Sequence, residues 1–219
     1  MDAGRDDGRI AGFLDEERRL TERLDGLAPV ARAALAAAVA DRLLPYYRRF
    51  HEQTGLGEPL VLQSALDGVW DLLERGSAFD IVTVGVTCMD QAFVAAEFGF
   101  DLAGTRTWEA WRVANGAATP LAENAVHAAW AVAGACHVAV HGGVRETLHC
   151  LRYGRDAALA AALSRRQGEL DAQPVQAAQS DPLVEQERRR QLLDIELLER
   201  STFTTQVLTD LRTPAPHRR

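Results

Sequence analysis

From Asn124 to Val144 the chain runs for 21 residues without a single Asp, Glu or Arg. Thr119-Pro120 ahead of it supplies an N-cap and a first-turn proline, and Gly142-Gly143 supplies a stop. A helix with no polar face must be surrounded by something other than water. It crosses a membrane or it lies buried in a bundle. Ala, its main residue, contributes little to membrane insertion, and Asn124, His127, His137 and His141 oppose it. The segment is therefore expected to be a buried helix of a soluble bundle, with no membrane contact.

The rest of the composition points the same way. The chain has 37 Ala and 27 Leu, the strongest helix formers, and only 3 Ile. An all-β fold and a disordered chain are both excluded. All 24 basic residues are Arg, so a lysine nucleophile, a Schiff base and a P-loop lysine are excluded as well. The net charge of −7 argues against nucleic-acid binding, which draws its affinity from phosphate neutralisation. Cys88, Cys136 and Cys150 are an odd number with no close pair. They read as small buried apolar residues in a reducing, cytoplasmic protein rather than as a disulfide framework.

Periodicity outlines the elements. A first helix is expected over Ile10–Asp25, where Phe13, Leu20, Leu24 and Leu27 share a face. Residues 1–9 are expected to be a disordered N-terminus without a signal peptide. Pro29 opens a second helix, with a kink or restart at Pro45 and a stop at Gly55. Leu62, Leu66, Val69 and Leu73 mark the clearest amphipathic helix, opposite a polar row that includes Asp67. Ile81–Thr87 is β-branched and reads as a buried extended entry or an early helix turn. Met89–Phe98 is helical, and Trp108–Val113 is a candidate short helix. Val144, Leu148, Leu151, Ala158 and Ala162 mark another face, and residues 168–180 an internal loop. Asp181-Pro182 opens a last helix reaching Arg212, about 45 Å long at 1.5 Å per residue. Residues 213–219 are a flexible tail. The expectation is an all-α fold: one domain over 10–212, an irregular multi-helix bundle of six to eight helices.

Three stretches carry a family resemblance: Asp41–Leu73 (DRLLPYYRRFHEQTGLGEPLVLQSALDGVWDLL), Phe79-Asp80 with Gly85-Val86 and MDQAFVAAEF, and Asp181–Glu199 (DPLVEQERRRQLLDIELLE). In this order they resemble the YjaG-like bacterial family, domain of unknown function 416, over roughly Leu20–Glu199. That family's pattern falls here on Arg42, Leu43, Pro45, Tyr47, Phe50, Thr54, Gly55, Gly57 and Pro59, then on Ala65, Leu66, Asp67, Val69 and Trp70. The stretch from about Asp101 to Pro120 departs from it as extra sequence. The resemblance implies an all-helical, cytoplasmic, bacterial protein with no assigned activity, cofactor or catalytic residue, and an association with histidine-kinase signalling suggested by gene neighbourhood. Physically, Pro45, Tyr47, Phe50, Gly55, Gly57, Asp67 and Trp70 read as a helix–kink–helix corner that supports the fold, with a ligand or partner site as the alternative.

The histidines are the other candidates. His137 and His141 are neighbours on one helix face, and Glu146-x-x-His149 follows on the next helix. His137, His141 and either His149 or His51 could form a three-histidine zinc or iron site. Against this, di-iron bundles need two Glu-x-x-His pairs and the chain has one. No Walker loop, dinucleotide fingerprint, nucleophile elbow or His-Glu-x-x-His is present. The Arg188–Arg190 run, flanked by Glu185, Glu187 and Asp194, reads as an exposed ion-pair face. The sequence therefore points to a non-enzymatic protein-interaction or regulatory module without metal or cofactor, working on an unknown protein partner and capable of homodimerising. The alternative is a metal-binding helical-bundle enzyme.

Overall fold

The charge-free segment sits at the centre. A computed structural model describes residues 3–77, 80–103, 119–165 and 178–212. Within them eight helices follow in order: α1 (Ala3–Gly26), α2 (Pro29–Thr54), α3 (Pro59–Arg75), α4 (Ile81–Ala103), α5 (Thr119–His141), α6 (Val144–Arg165), α7 (Pro182–Arg200) and α8 (Thr205–Arg212). The fold is all-α and one domain. α5 packs against α2, α4 and α6, and α3 touches it as well. Its Ala125, Ala128, Ala129, Val132 and Ala135 are all buried, as is the unbroken run Ala33–Ala40 of α2. Small side chains on both helices let the backbones approach closely, so the Ala excess is used where the two helices meet. Among the described residues no helix is long and apolar enough to cross a membrane.

The α2–α3 corner is closed by buried polar contacts. α2 runs through Pro45 as one helix and ends at Gly55, whose φ of 73° is the left-handed cap and whose N–H donates to the His51 carbonyl at 2.7 Å. Gly57 also has a φ of 73°, and a Cβ there would collide with the Tyr47 hydroxyl. That hydroxyl lies 3.1 Å from both the backbone oxygen and Oε1 of Gln91, and Oε1 accepts from the Glu58 N–H at 2.8 Å. One glutamine of α4 thus pins the turn. Trp70 is 1% exposed; its indole N–H donates to Asp41 Oδ2 at 2.7 Å, and the Arg212 guanidinium lies 5.1 Å from its ring centroid.

Several expectations are corrected. α1 is described from Ala3, ahead of the Ile10 start expected from periodicity. Pro45 produces no restart. Of the two readings of Ile81–Thr87, the helix turn holds and the extended entry does not: the segment opens α4, because β-branched residues are only mildly unfavourable in helices and packing decides. The last helix is two: Ser201–Thr204 interrupts it, and Thr204 restarts it by accepting the Val207 N–H at its side chain. That break folds α8 back so that Arg212 reaches Trp70.

Part of the charged surface of α7 is turned inward, while Glu185 and Arg189 stay exposed. Arg42 of α2 pairs with Asp194 at 2.8 Å and Glu187 at 3.2 Å, Arg190 pairs with Asp194 at 2.9 Å, and Gln191 donates to the Leu151 carbonyl at 2.9 Å. Asp194 is 3% exposed, whereas Leu192 and Leu193 face out. Burial pushes the Asp194 carboxyl up, and Arg42 and Arg190 pull it back. Trp108–Val113, most of the 168–180 loop and the 213–219 tail lie outside the described residues.

Candidate functional site

The Ala-rich centre leaves one side of α5 incompletely covered. Gly134 of α5 sits against Cys150 of α6, where a Cβ would come within 2.6 Å of the sulfur. Gly85 of α4 sits against Cys136 of α5, where a Cβ would lie 3.5 Å from the Cys136 Cβ. These close crossings seat α4 and α6 on either side of α5. Above the crossing is a cleft with a cavity volume of about 340 Å³. Its α4 wall is apolar: Ile81, Val82, Val86 and Met89. Its floor is α5, from Trp130 through Gly134 to Val140. Its polar lip comprises His137 and His141 of α5 and Glu146, His149 and Tyr153 of α6.

The lip is held by a residue the sequence reading passed over. Arg32 of α2 donates to the Gly142 carbonyl at 2.6 Å and to those of Leu24 at 3.0 Å and Leu27 at 2.6 Å. One guanidinium thus satisfies the C-terminal carbonyls of α1 and α5 together, where a cation also suits the helix dipoles. It fixes the end of α5 that carries His137 and His141.

His137, His141 and His149 do share this cleft. They do not form the metal site that their spacing allows. The His137 and His141 rings lie 4.4 Å apart at 46°, one tilted over the other, and among the described residues no three His, Cys, Asp or Glu side chains converge as metal ligands. His51 is at the other end of α2, 19 residues from Arg32, about 28 Å away at 1.5 Å per residue. Its Nδ1 is 3.1 Å from the Leu56 carbonyl. His127 is buried elsewhere on α5, 5.9 Å from the Tyr153 ring and 3.8 Å from Glu123 Oε1.

The residues that stand out at the cleft are apolar ones that the β-branched reading of Ile81–Thr87 concealed. Val82 (64% exposed), Val86 (50%) and Phe93 (57%) lie on one stripe of α4, with half-buried Met89 between them. Their spacing of four, three and four was the available signal, once the segment is taken as helix. The stripe crosses the cleft to Val140 (46%) and to Trp130, whose ring meets Phe93 edge-on at 6.1 Å.

The motif residues are elsewhere, and nearly all are committed to the corner. Tyr47 and Phe50 are fully buried with ring centroids 5.8 Å apart. Asp67 is half exposed, accepts from Gln63 Nε2 at 2.9 Å, and lies 3.8 Å from Arg212.

Comparison with known proteins gives a family likeness but no activity. Residues 19–84 match the family model described as "Protein of unknown function (DUF416)". That range takes in the α2–α3 corner and ends inside α4. The fold resembles the crystal structure of a DUF416 family protein from Shewanella baltica OS155, at 18% identity over 88% of this chain and 90% of that one, with a TM-score of 0.66. No curated protein matches the chain. The matched corner and the shared fold agree, and in both respects the chain is similar to the DUF416 family.

Proposed function

We propose that this chain is a non-enzymatic binding module of a regulatory kind, and that its contact surface is the α4–α5 cleft with its apolar lip. The observation that carries the reading is the stripe Val82, Val86 and Phe93, left exposed around half-buried Met89 and running along the mouth of the cleft. Side chains at these steps, beside a groove lined by Gly85 and Gly134, match the way an amphipathic helix is received. The favoured occupant is therefore a helix of a protein partner with apolar residues at matching steps, its polar side meeting His137, His141 and Glu146. A contiguous exposed apolar patch is a common mark of such a site. The three thiols are free, in keeping with a reducing, cytoplasmic setting.

A photo-crosslinking residue placed at Val86 in the full chain, and separately at Leu60 of α3 (79% exposed), tests this. Discrete adducts from Val86 and none from Leu60, abolished by Phe93→Asp, are expected. Adducts at both positions or at neither overturn it. An adduct of twice 23.9 kDa identifies a second copy of the chain as the occupant instead. A homodimer through a long terminal helix loses its motivation, since that helix is split into α7 and α8.

A further inference from the structure

The cleft has an interior behind its mouth. Its volume of about 340 Å³ lies at the small end of the range for small-molecule sites, roughly 300–1,000 Å³. Such sites are mostly apolar, with a few polar groups placed to fix the head of the ligand. This cleft is divided in that way. Its α4 wall is apolar, and Met89 of α4, Trp130 of α5 and Tyr153 of α6 offer a thioether and two rings to a flat aromatic group. Its imidazoles stand on α5 and α6.

Along α5 the arrangement has a direction. Trp130, Gly134, His137 and His141 step by four, three and four, so they share one face. Trp130 stands at one end, Gly134 presents no side chain, and the two imidazoles stand at the other end. From Gly134 the axis runs about 4.5 Å to His137 and about 10.5 Å to His141, at 1.5 Å per residue. Both histidines are exposed, with ring centroids 4.4 Å apart. Among the described residues neither imidazole has a hydrogen-bond partner within the chain. Even a neutral imidazole carries one N–H donor, and a carboxylate carries two acceptor oxygens. Two adjacent imidazoles therefore suit one carboxylate. Among the described residues lining the cleft, the one carboxylate is that of Glu146. It lies over Gly143 in the first turn of α6, where an acid suits the helix dipole. It thus fills the place a phosphate would take at that helix end, and among the described residues no arginine lines the cleft to hold one.

We propose that the cleft binds a small aromatic carboxylic acid. The ring lies over Gly134 against Trp130 and Met89, and the carboxylate accepts from His137 and His141 at the end of a short alkyl arm. The inference does not rest on the helix-receiving reading, which draws on the stripe at the mouth. Where both hold, acid and helix compete for the same two imidazoles, and each weakens the other's binding by the same factor.

Ligand-observed NMR titration of the full chain with 3-phenylpropionate and with 3-phenylpropanol, at one pH, tests this. The two probes share ring and arm and differ in the head. The acid should saturate one site, and the alcohol should bind about tenfold more weakly, because it forfeits a hydrogen bond to a charged group. The double variant His137→Leu/His141→Leu should bring the acid down to the level of the alcohol and leave the alcohol within about twofold of its wild-type affinity. The unchanged alcohol affinity reports that the apolar part of the cleft is intact. Failure of the acid to bind wild-type protein overturns the proposal, and leaves the crosslinking result at Val86 as it stands. Equal binding of acid and alcohol overturns it too, as does a preference for the acid that survives in the double variant. Loss of both probes together in that variant shows that the imidazoles do not act on the carboxylate, and overturns it as well.

Discussion

The α2–α3 corner and the α4–α5–α6 cleft are built from similar materials, and they are finished differently. Both rely on glycines and buried aromatic or sulfur-bearing side chains. At the corner the main polar groups find partners: the Tyr47 hydroxyl at Gln91, the Trp70 indole at Asp41, and the Glu58 N–H at Gln91 Oε1. At the cleft, glycines bring helices together, but valines and a phenylalanine are left facing solvent. A fully satisfied polar cluster specifies one geometry. An unfilled apolar groove leaves free energy available for binding. The family match ends within α4 and so takes in the corner and only the start of the cleft wall.

If that contrast holds, substitutions at the corner should cost stability and those at the cleft lip should not. The largest effect is expected at Trp70. Trp70→Ala removes a buried ring, strands the Asp41 carboxylate and takes away the surface under Arg212, so a loss of about 3–5 kcal/mol is expected by chemical denaturation. A Tm shift near zero would mean that the corner is not the stabilising region. By contrast, Val86→Asp, on the open stripe, should stay within about 0.5 kcal/mol of wild type.

Gly55 and Gly57 sharpen the corner itself. Both have a φ of 73°, but a Cβ on Gly55 meets nothing within 4 Å, while one on Gly57 collides with Tyr47. Gly55→Ala should therefore cost only the left-handed conformation, about 1–2 kcal/mol. Gly57→Ala should cost that and a further overpacking penalty of about 1–3 kcal/mol. Equal losses in urea titrations of the two variants would show that the Tyr47 ring yields freely.

The cleft has its own close crossing. Gly134→Ala places a methyl 2.6 Å from the Cys150 sulfur and should cost about 1–3 kcal/mol. Cys150→Ala removes the obstructing sulfur, so the double variant should be more stable than the sum of the two single losses predicts. Strict additivity in that double-mutant cycle would mean that the α5–α6 contact adjusts elsewhere.

Much of this architecture was legible in the chain. Ala and Leu excess, proline starts and glycine stops gave the helices, and the charge-free run gave the central one. The family motif gave the corner, because helix caps and first-turn prolines are local and leave marks at fixed spacing. What could not be read depends on contacts between distant segments. The Arg188–Arg190 run looked solvent-exposed because its neighbours Glu187 and Asp194 offer local partners; Arg42, 152 residues from Asp194, draws Asp194 and with it Arg190 inward, and Arg189 alone of the three stays exposed. Ile81–Thr87 stayed open between an extended entry and a helix turn because Val and Thr favour strands, and packing on α5 settles it as helix. The histidines of the cleft were found by spacing alone, but spacing could not show that the rings of His137 and His141 lie against each other.

The smallest expected effect tests whether the corner's closure depends on charge. Asp41 accepts the Trp70 indole hydrogen, and its carboxyl is pushed up by burial, with the Trp70 bond and Arg212 pulling the other way. The folded pKa thus lies above the unfolded value of about 3.9. Between those two values the folded chain holds a proton that the unfolded chain has released, so stability falls as pH rises through the folded pKa. Asp194 and Asp156 are shifted in the same direction by burial, and the Asp41 part must be isolated by difference. Asp41→Asn keeps an oxygen acceptor for Trp70 and removes the titration. The stability of wild type relative to Asp41→Asn, followed by urea denaturation upward from about pH 4, should decline through that window and then level off. A difference that instead rises with pH would mean that Arg212 outweighs burial, and that the corner is held by an ion pair rather than by the packing of Trp70.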